Sequence, residues 1–159
     1  MIDINLRTLT ETDYDKIILV VNAWWGGRNV ADMLPRLFFI HFQNTSFVLE
    51  EDNELVAFLC GFISQAHSKQ AYIHFVGVHP KYRMNGLAKR LYNTFFNEAR
   101  QNGCQEIHCI TSPVNKDSIA FHKKMGFIIK HGNREEEGVP ITANYDGPGK
   151  DRVLFVKTL

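Results

Sequence analysis

The stretch from Ala71 to Arg90 constrains this chain more than any other. Ala71 to Val78 is dense in β-branched and aromatic residues and reads as a buried strand; after Pro80, Leu87, Leu91, Phe95 and Ala99 recur at helical spacing. Strand, short loop and helix therefore follow in direct succession. A helix start carries unpaired N–H groups and the positive end of the helix dipole, and Gly86 lets a ligand reach the backbone without meeting a Cβ. That combination suits an anion, phosphate above all. The charges agree: no Asp or Glu lies between Glu54 and Glu98, while Lys81, Arg83, Lys89 and Arg90 cluster on the loop and first helical turns. One face is locally positive although the formal charge of the chain is only +1.

The spacing separates this loop from commoner phosphate loops. Neither a Gly-x-x-x-x-Gly-Lys-Ser/Thr run nor a Gly-x-Gly-x-x-Gly run after an early strand is present. Arg83-x-x-Gly86-x-Ala88, led in by Val78-His79-Pro80, instead resembles the pyrophosphate signature Gln/Arg-x-x-Gly-x-Gly/Ala of the GNAT superfamily of N-acetyltransferases. Downstream, Asn115-x-x-Ser118-x-x-Phe121-His122-x-x-x-Gly126-Phe127 resembles the family's other helix, whose usual form carries Tyr where this chain has His122. The resemblance spans Leu55 to Lys130. It implies a mixed α/β (α+β) fold: a mostly antiparallel sheet of about seven strands, a parallel strand pair at the acetyl-CoA site, and about four flanking helices.

Composition sets the outer limits. A chain of 159 residues has a one-domain length, so residues 1–159 are expected to form a single N-acetyltransferase domain. Hydrophobic content of 45%, with 12 Phe, 5 Tyr and 2 Trp, belongs to a globular protein rather than a disordered one. Cys60, Cys104 and Cys109 form no Cys-x-x-Cys and are odd in number, which indicates neither a disulfide framework nor a zinc site. With no basic, apolar leader at Met1-Ile2-Asp3-Ile4-Asn5 and no run of membrane-spanning length, the expectation is a cytoplasmic protein with no membrane partner. Near-neutral charge gives no reason to expect nucleic acid.

In chain order, Ile2, Ile4 and Leu6 alternate as a first strand. Thr10 with Asp13 three residues later reads as a helix N-cap before Tyr14, Ile17, Ile18 and Val21, the helix ending near Ala23. Trp24-Trp25-Gly26-Gly27-Arg28 reads as a loop that places two indoles, with Arg28 free to hold a carboxylate or phosphate; tryptophans packing a helix joint fit the same pattern. Met33, Leu34, Leu37, Phe38 and Phe42 suggest a second helix, started or interrupted by Pro35, and its phenylalanines read as core. Phe47–Glu50 and Leu55–Ser64 form a hairpin about Glu51-Asp52-Asn53-Glu54. After the central helix come a strand from Glu106 to Thr111, parallel to the one before the loop, a helix from Asp117 to Lys124, and a strand from Phe127. His131 to Asp151 reads as a long flap loop pinned by a last strand at Val153–Val156.

The resemblance assigns the chemistry. It implies acetyl-CoA as the acetyl donor, no metal, and direct attack by an amine in a ternary complex. The amides of Arg83, Met84, Asn85, Gly86, Leu87 and Ala88 would hold the pyrophosphate, Val76 and Val78 would offer backbone groups to the thioester, and Asn115 and Ser118 would meet the pantetheine arm and phosphates. Trp24, Trp25 and Arg28 would border the acceptor. His122 stands where the family places a tyrosine acid; with a reference pKa of ~6.5 against ~10, it either protonates the departing thiolate or has lost that role and sits on the helix surface. His74 aligns with the family's general-base position, and period two places it on one strand face with Tyr72, Val76 and Val78. A satisfied core histidine is the plainer reading of His74, and a pairing with His108 makes only a weak metal case. The acceptor expected is a small-molecule primary amine; a protein N-terminus or lysine, or a CoA-binding module without turnover, are the alternatives. Arg28 favours an anionic acceptor and Glu135 to Glu137 a cationic one. Edge strands leave the chain open to pairing as a homodimer.

Overall fold

The sheet grows outward from a tight hairpin. In the computed structural model, which describes residues 3–159, Asp52 and Asn53 both take positive φ (51° and 66°), the geometry of a two-residue turn whose twist matches its strands. Those strands are β2 (Phe47–Glu51) and β3 (Glu54–Ile63). β1 (Asn5–Thr8) pairs antiparallel with β2, and β4 (Gln70–Val78) pairs antiparallel with β3. Ile2, expected in the first strand, lies outside the described residues. β5 (Glu106–Thr111) runs parallel to β4; β9 (Val153–Thr158) lies antiparallel between β5 and β6 (Ile128–Ile129). The seven-stranded order is β1-β2-β3-β4-β5-β9-β6.

Helices cover both faces. α3 (Leu87–Gln101) presents Leu91, Phe95 and Ala99 as one apolar stripe to the sheet face carrying Leu59, Ile73 and Phe155, and α4 (Lys116–Lys124) packs on the same side. α1 (Asp13–Trp24) buries Ile17 and Val21 on the opposite face against Val48, Phe58 and Phe75. Pro35 divides the expected second helix into a 3-10 turn, Ala31–Met33, and the short α2 (Leu37–His41). The N-cap reading of α1 holds in half: the Asp13 carboxylate accepts from the Thr10 N–H at 2.7 Å. Asp13 also receives both terminal nitrogens of Arg7 at 2.8 Å, while Arg7 Nε donates to Glu50 at 2.7 Å, so one guanidinium stitches β1, β2 and α1 together.

Two irregularities position the site. β4 and β5 pair only over Gln70–Tyr72 with Glu106–His108 and then part. Between β3 and β4 the register jumps: Cys60 faces Phe75 and Gly61 faces Ile73, leaving His74 opposite no residue. This bulge breaks the alternation expected along the strand. Tyr72 and His74 stay on the α1–α2 side, whereas Val76 and Val78 pack on the α3 side. At the bulge the Gly61 N–H donates to the buried Ser46 hydroxyl at 3.1 Å, and Thr45 Oγ1 donates to the Gly61 carbonyl at 2.5 Å.

The segment expected as a flap is folded. β7 (Arg134–Glu136) and β8 (Val139–Ile141) form a separate hairpin, and Thr142 bridges Arg152 beyond it. Arg134 bonds Glu136 and Asp151, Glu137 meets Lys116 at 3.1 Å, and Asn144 accepts from Gly149 N at 2.7 Å. The polar residues that read as loop composition are consumed in fixing one conformation. All three cysteines are buried free thiols, and burial raises the pKa values of Cys60 and Cys109.

A methyl group at Gly61 would lie 2.5 Å from the Phe95 ring and 2.9 Å from the Tyr72 carbonyl. Gly61→Ala should therefore lower the unfolding free energy by about 1–3 kcal/mol, measured by urea denaturation. Burial alone would raise the Asp13 carboxyl pKa, but the Arg7 guanidinium and the Thr10 N–H outweigh it and hold it below the ordinary value. Its stabilisation is complete above the unfolded pKa of about 3.9 and is lost as pH falls through the folded value. Asp13→Asn should cost about 3 kcal/mol at pH 7, the gap to wild type narrowing in urea melts below pH ~4.

Candidate functional site

The loop between β4 and α3 is shaped by its own backbone. A 3-10 turn at Pro80–Tyr82 is capped by His79, whose Nδ1 accepts from the Lys81 N–H at 3.0 Å. Met84 and Gly86 follow with φ of 67° and 74°, turning successive N–H groups outward before α3 begins at Leu87. Among the described residues no acceptor is recorded for the amides of Arg83 through Ala88. A Cβ built on Gly86 would have nothing within 4 Å, so the approach there is open. This is an anion cradle at the N-terminus of a helix fifteen residues long. Leu87 contributes only its backbone, because its side chain is in the core. The Arg83 guanidinium donates to the Trp24 carbonyl at the end of α1, tying the loop to the neighbouring joint.

Where β4 leaves β5, backbone groups are released. The His79 N–H donates to the Val56 carbonyl at 2.8 Å, and with Val78 opposite Ala57 the alternation turns the amides of Phe75, Gly77 and His79 toward β3. Those of Val76 and Val78 point the other way, into the gap left by the departing strand.

His74 sits at the bulge with its ring on Phe38, centroids 4.1 Å apart and planes within 3°. Its Nε2 lies 2.5 Å from the Met33 carbonyl. A carbonyl only accepts, so Nε2 carries the proton and Nδ1 keeps its lone pair. Burial lowers the pKa, and the hydrogen bond to Met33 offsets this only in part. The ring is neutral at pH 7. His108 faces Tyr72 across the parallel pair but turns its Nε2 to Glu106 at 3.1 Å rather than to His74.

α4 starts beside the same gap. Asn115 Oδ1 accepts from the Ser118 N–H at 3.2 Å as the helix cap. His122 is only 5% exposed, which corrects the reading of a surface histidine. The Tyr92 hydroxyl donates to its Nε2 at 2.8 Å, Nδ1–H donates to the Ser118 carbonyl at 2.7 Å, and Phe155 stacks on the ring at 4.7 Å. Both nitrogens are engaged, so His122 bolts α4 to α3. Burial lowers its pKa, with the Ser118 bond a partial offset.

At the α1 joint, Trp24 is 6% exposed and packs edge-on to His79 at 5.3 Å; it is a core residue with no ring face free for a ligand. Trp25 is half-buried beside Phe75, and Arg28 is exposed after two glycines of positive φ. Reasoning from sequence did not single out Tyr92, or Met33 and Phe38 as partners of His74. The spacing of Tyr92 marks it as apolar stripe, and the other two lie some forty residues from His74, roughly as far as their numbering says.

A helix start with unpartnered amides thus lies beside two parting parallel strands, a geometry that suits an anionic ligand. The family model of the acetyltransferase (GNAT) family matches residues 9–127, and the chain belongs to that family. Over 84 residues it is 31% identical to L-2,4-diaminobutyric acid acetyltransferase of Marinococcus halophilus, covering 53% of this chain and 49% of that one. The chain thus spans about half the length of this curated relative. Its fold matches a GNAT-family protein from Desulfovibrio desulfuricans (TM-score 0.79, 16% identity, 98% of this chain and 99% of that one). It also matches yncA of Salmonella typhimurium, solved with its cofactor acetyl-CoA (TM-score 0.70, 20% identity, 98% and 94%).

Enzymes of this family use acetyl-CoA. The residues here fit it: unpartnered amides and an open Gly86 suit a pyrophosphate, and the Val76 and Val78 amides face a gap that would admit a pantetheine arm. Among the described residues no helix is long and apolar enough to cross a membrane.

The buried His122 generates a prediction. Because its folded pKa lies below the unfolded value of about 6.5, the unfolded chain binds the extra proton; stability is full above that pH and declines as pH falls through it. His122→Ala should cost about 2–4 kcal/mol at pH 7.5, leaving a cavity and an unpaired Tyr92 hydroxyl. Urea melts between pH 7 and 5 should also show a shallower pH slope than wild type, His74 supplying what remains.

Proposed function

We propose that the protein acetylates the primary amine of a small molecule in a ternary complex, with His74 as general base. The observation that carries this is a neutral imidazole at the bulge with its Nε2 proton fixed on Met33 and its Nδ1 lone pair unpartnered. Bound in the loop, acetyl-CoA would supply a thioester whose C–S bond would break as the acceptor nitrogen forms the new N–C bond, the proton that nitrogen loses on becoming an amide passing to the departing thiolate. This chain's part is to hold and deprotonate. The amides of Arg83 to Ala88 hold the pyrophosphate, and the amides of Val76 and Val78 orient the pantetheine arm and meet charge developing on the carbonyl. Asn115 and Ser118 bind from the start of α4, and Trp25 and Arg28 rim the acceptor side. His74 Nδ1 takes the proton from the incoming ammonium. His122, spent on Tyr92 and Ser118, positions α4 instead of protonating the thiolate. The diaminobutyrate acetyltransferase among its relatives supports a small amine over a protein acceptor.

Three measurements test this. At 100 times its dissociation constant, acetyl-CoA should add about 2.7 kcal/mol to stability, visible as a raised melting midpoint that NAD does not produce. Protonated His74 cannot accept a proton, so kcat/KM should fall on the acid side below pH ~6.5. His74→Gln should lower kcat by about 10²–10⁴ and remove that limb, and thiol release equal to wild type would overturn the assignment.

A further inference from the structure

Five aromatic side chains form a continuous wall on the α1–α2 side of the sheet. His74 stacks on Phe38; Phe38 meets Phe42 at 5.2 Å; Phe42 meets Phe62 at 5.2 Å; Phe62 stacks on Tyr72 at 5.3 Å. Tyr72 returns to His74 two residues along β4. None of the five is fully buried, although Phe39 and Phe58 on the same side are. Phe38 also packs on that core, and the five partly exposed rings together make a contiguous aromatic surface of the kind that marks a binding surface. The wall begins at the imidazole whose Nδ1 has no hydrogen-bond partner among the described residues and ends at a depression of about 330 Å³ bordered by Ile40, Phe42 and Phe62 together with the polar His41, Gln43 and Asn44.

The charges at the Tyr72 end of the wall are already matched. Beside Tyr72, Asp146 accepts from Arg152 Nε at 2.7 Å, and Glu106 holds His108 at 3.1 Å. Among the described residues, this end of the wall offers no unpaired carboxylate for a second ammonium and no unpaired cation for a carboxylate. Its recognition is by ring faces.

We infer that the acceptor is an arylalkyl primary amine, its uncharged ring lying on the Phe38, Phe62 and Tyr72 wall and its nitrogen reaching His74. The inference rests on the acetyltransferase reading and names its substrate class. Offset and edge-on ring contacts favour an aromatic body over an aliphatic one of similar size by about tenfold. A diamine brings a second ammonium that finds no unpaired carboxylate at the Tyr72 end of the wall and is disfavoured on that ground.

The test is a panel of acceptors with acetyl-CoA, following thiol release: phenethylamine, tyramine and tryptamine against putrescine, 2,4-diaminobutyrate and an alanine-terminated peptide. The best arylalkylamine should exceed the best of the others in kcat/KM by about tenfold or more. Phe62→Leu should raise KM for that amine about tenfold while KM for acetyl-CoA and the melting midpoint stay near wild type. Preference for the diamine, the amino acid or the peptide overturns the inference and leaves the acetyltransferase reading standing. Absence of turnover with every arylalkylamine also overturns it, and the acetyl-CoA melting shift then decides whether the broader reading falls too. If Phe62→Leu does not fold, the wild-type panel alone still decides.

Discussion

The site depends on β4 parting from β5 after a short stretch of parallel pairing. Had the two strands stayed paired to their ends, the amides of Val76 and Val78 would be locked into the ladder and no gap would lie between α3 and α4. The separation is stabilised from both sides. β9 completes the pairing of β5 along its whole length, and β3 holds β4 as far as Val78, so neither strand needs the other beyond Tyr72. The bulge at His74 adds a change of face: it sends one imidazole to the α2 side while the valines beyond it pack on the α3 side.

Two histidines show how environment divides one side chain into two roles. Burial keeps both neutral at pH 7, and a backbone carbonyl fixes the tautomer of each. The difference is the second nitrogen. In His122 it accepts from Tyr92 and completes a core joint; in His74 it has no hydrogen-bond partner among the described residues, and the ring stacks on the partly exposed Phe38. His122 thus braces α4 against α3, and the imidazole with an unpartnered nitrogen lies on β4.

The loop and its cradle were legible because they are local. Glycine with a left-handed backbone, a proline ending a strand and an apolar stripe of helical period act over a few residues, and the structure repeats them with boundaries within a residue or two at β4, α3 and β5. Long-range pairings were not legible. Nothing near His74 in sequence announces Met33 and Phe38, and nothing near His122 announces Tyr92. Period two misplaced Val76 and Val78 because a bulge is one unpaired residue, invisible to a periodicity count. The polar run from His131 to Asp151 read as a flap because composition does not show that its carboxylates, amides and guanidinium groups satisfy one another.

By itself, then, the sequence determined the kind of cofactor this protein can hold, since anion binding at a helix start is written in contiguous residues and needs no distant partner. Only the tertiary structure decided which histidine keeps an unpartnered nitrogen, which tryptophan is core, and which aromatic rings stay partly exposed. Those outcomes turn on burial and on the second hydrogen-bond partner, and both come from segments that meet only when the sheet closes.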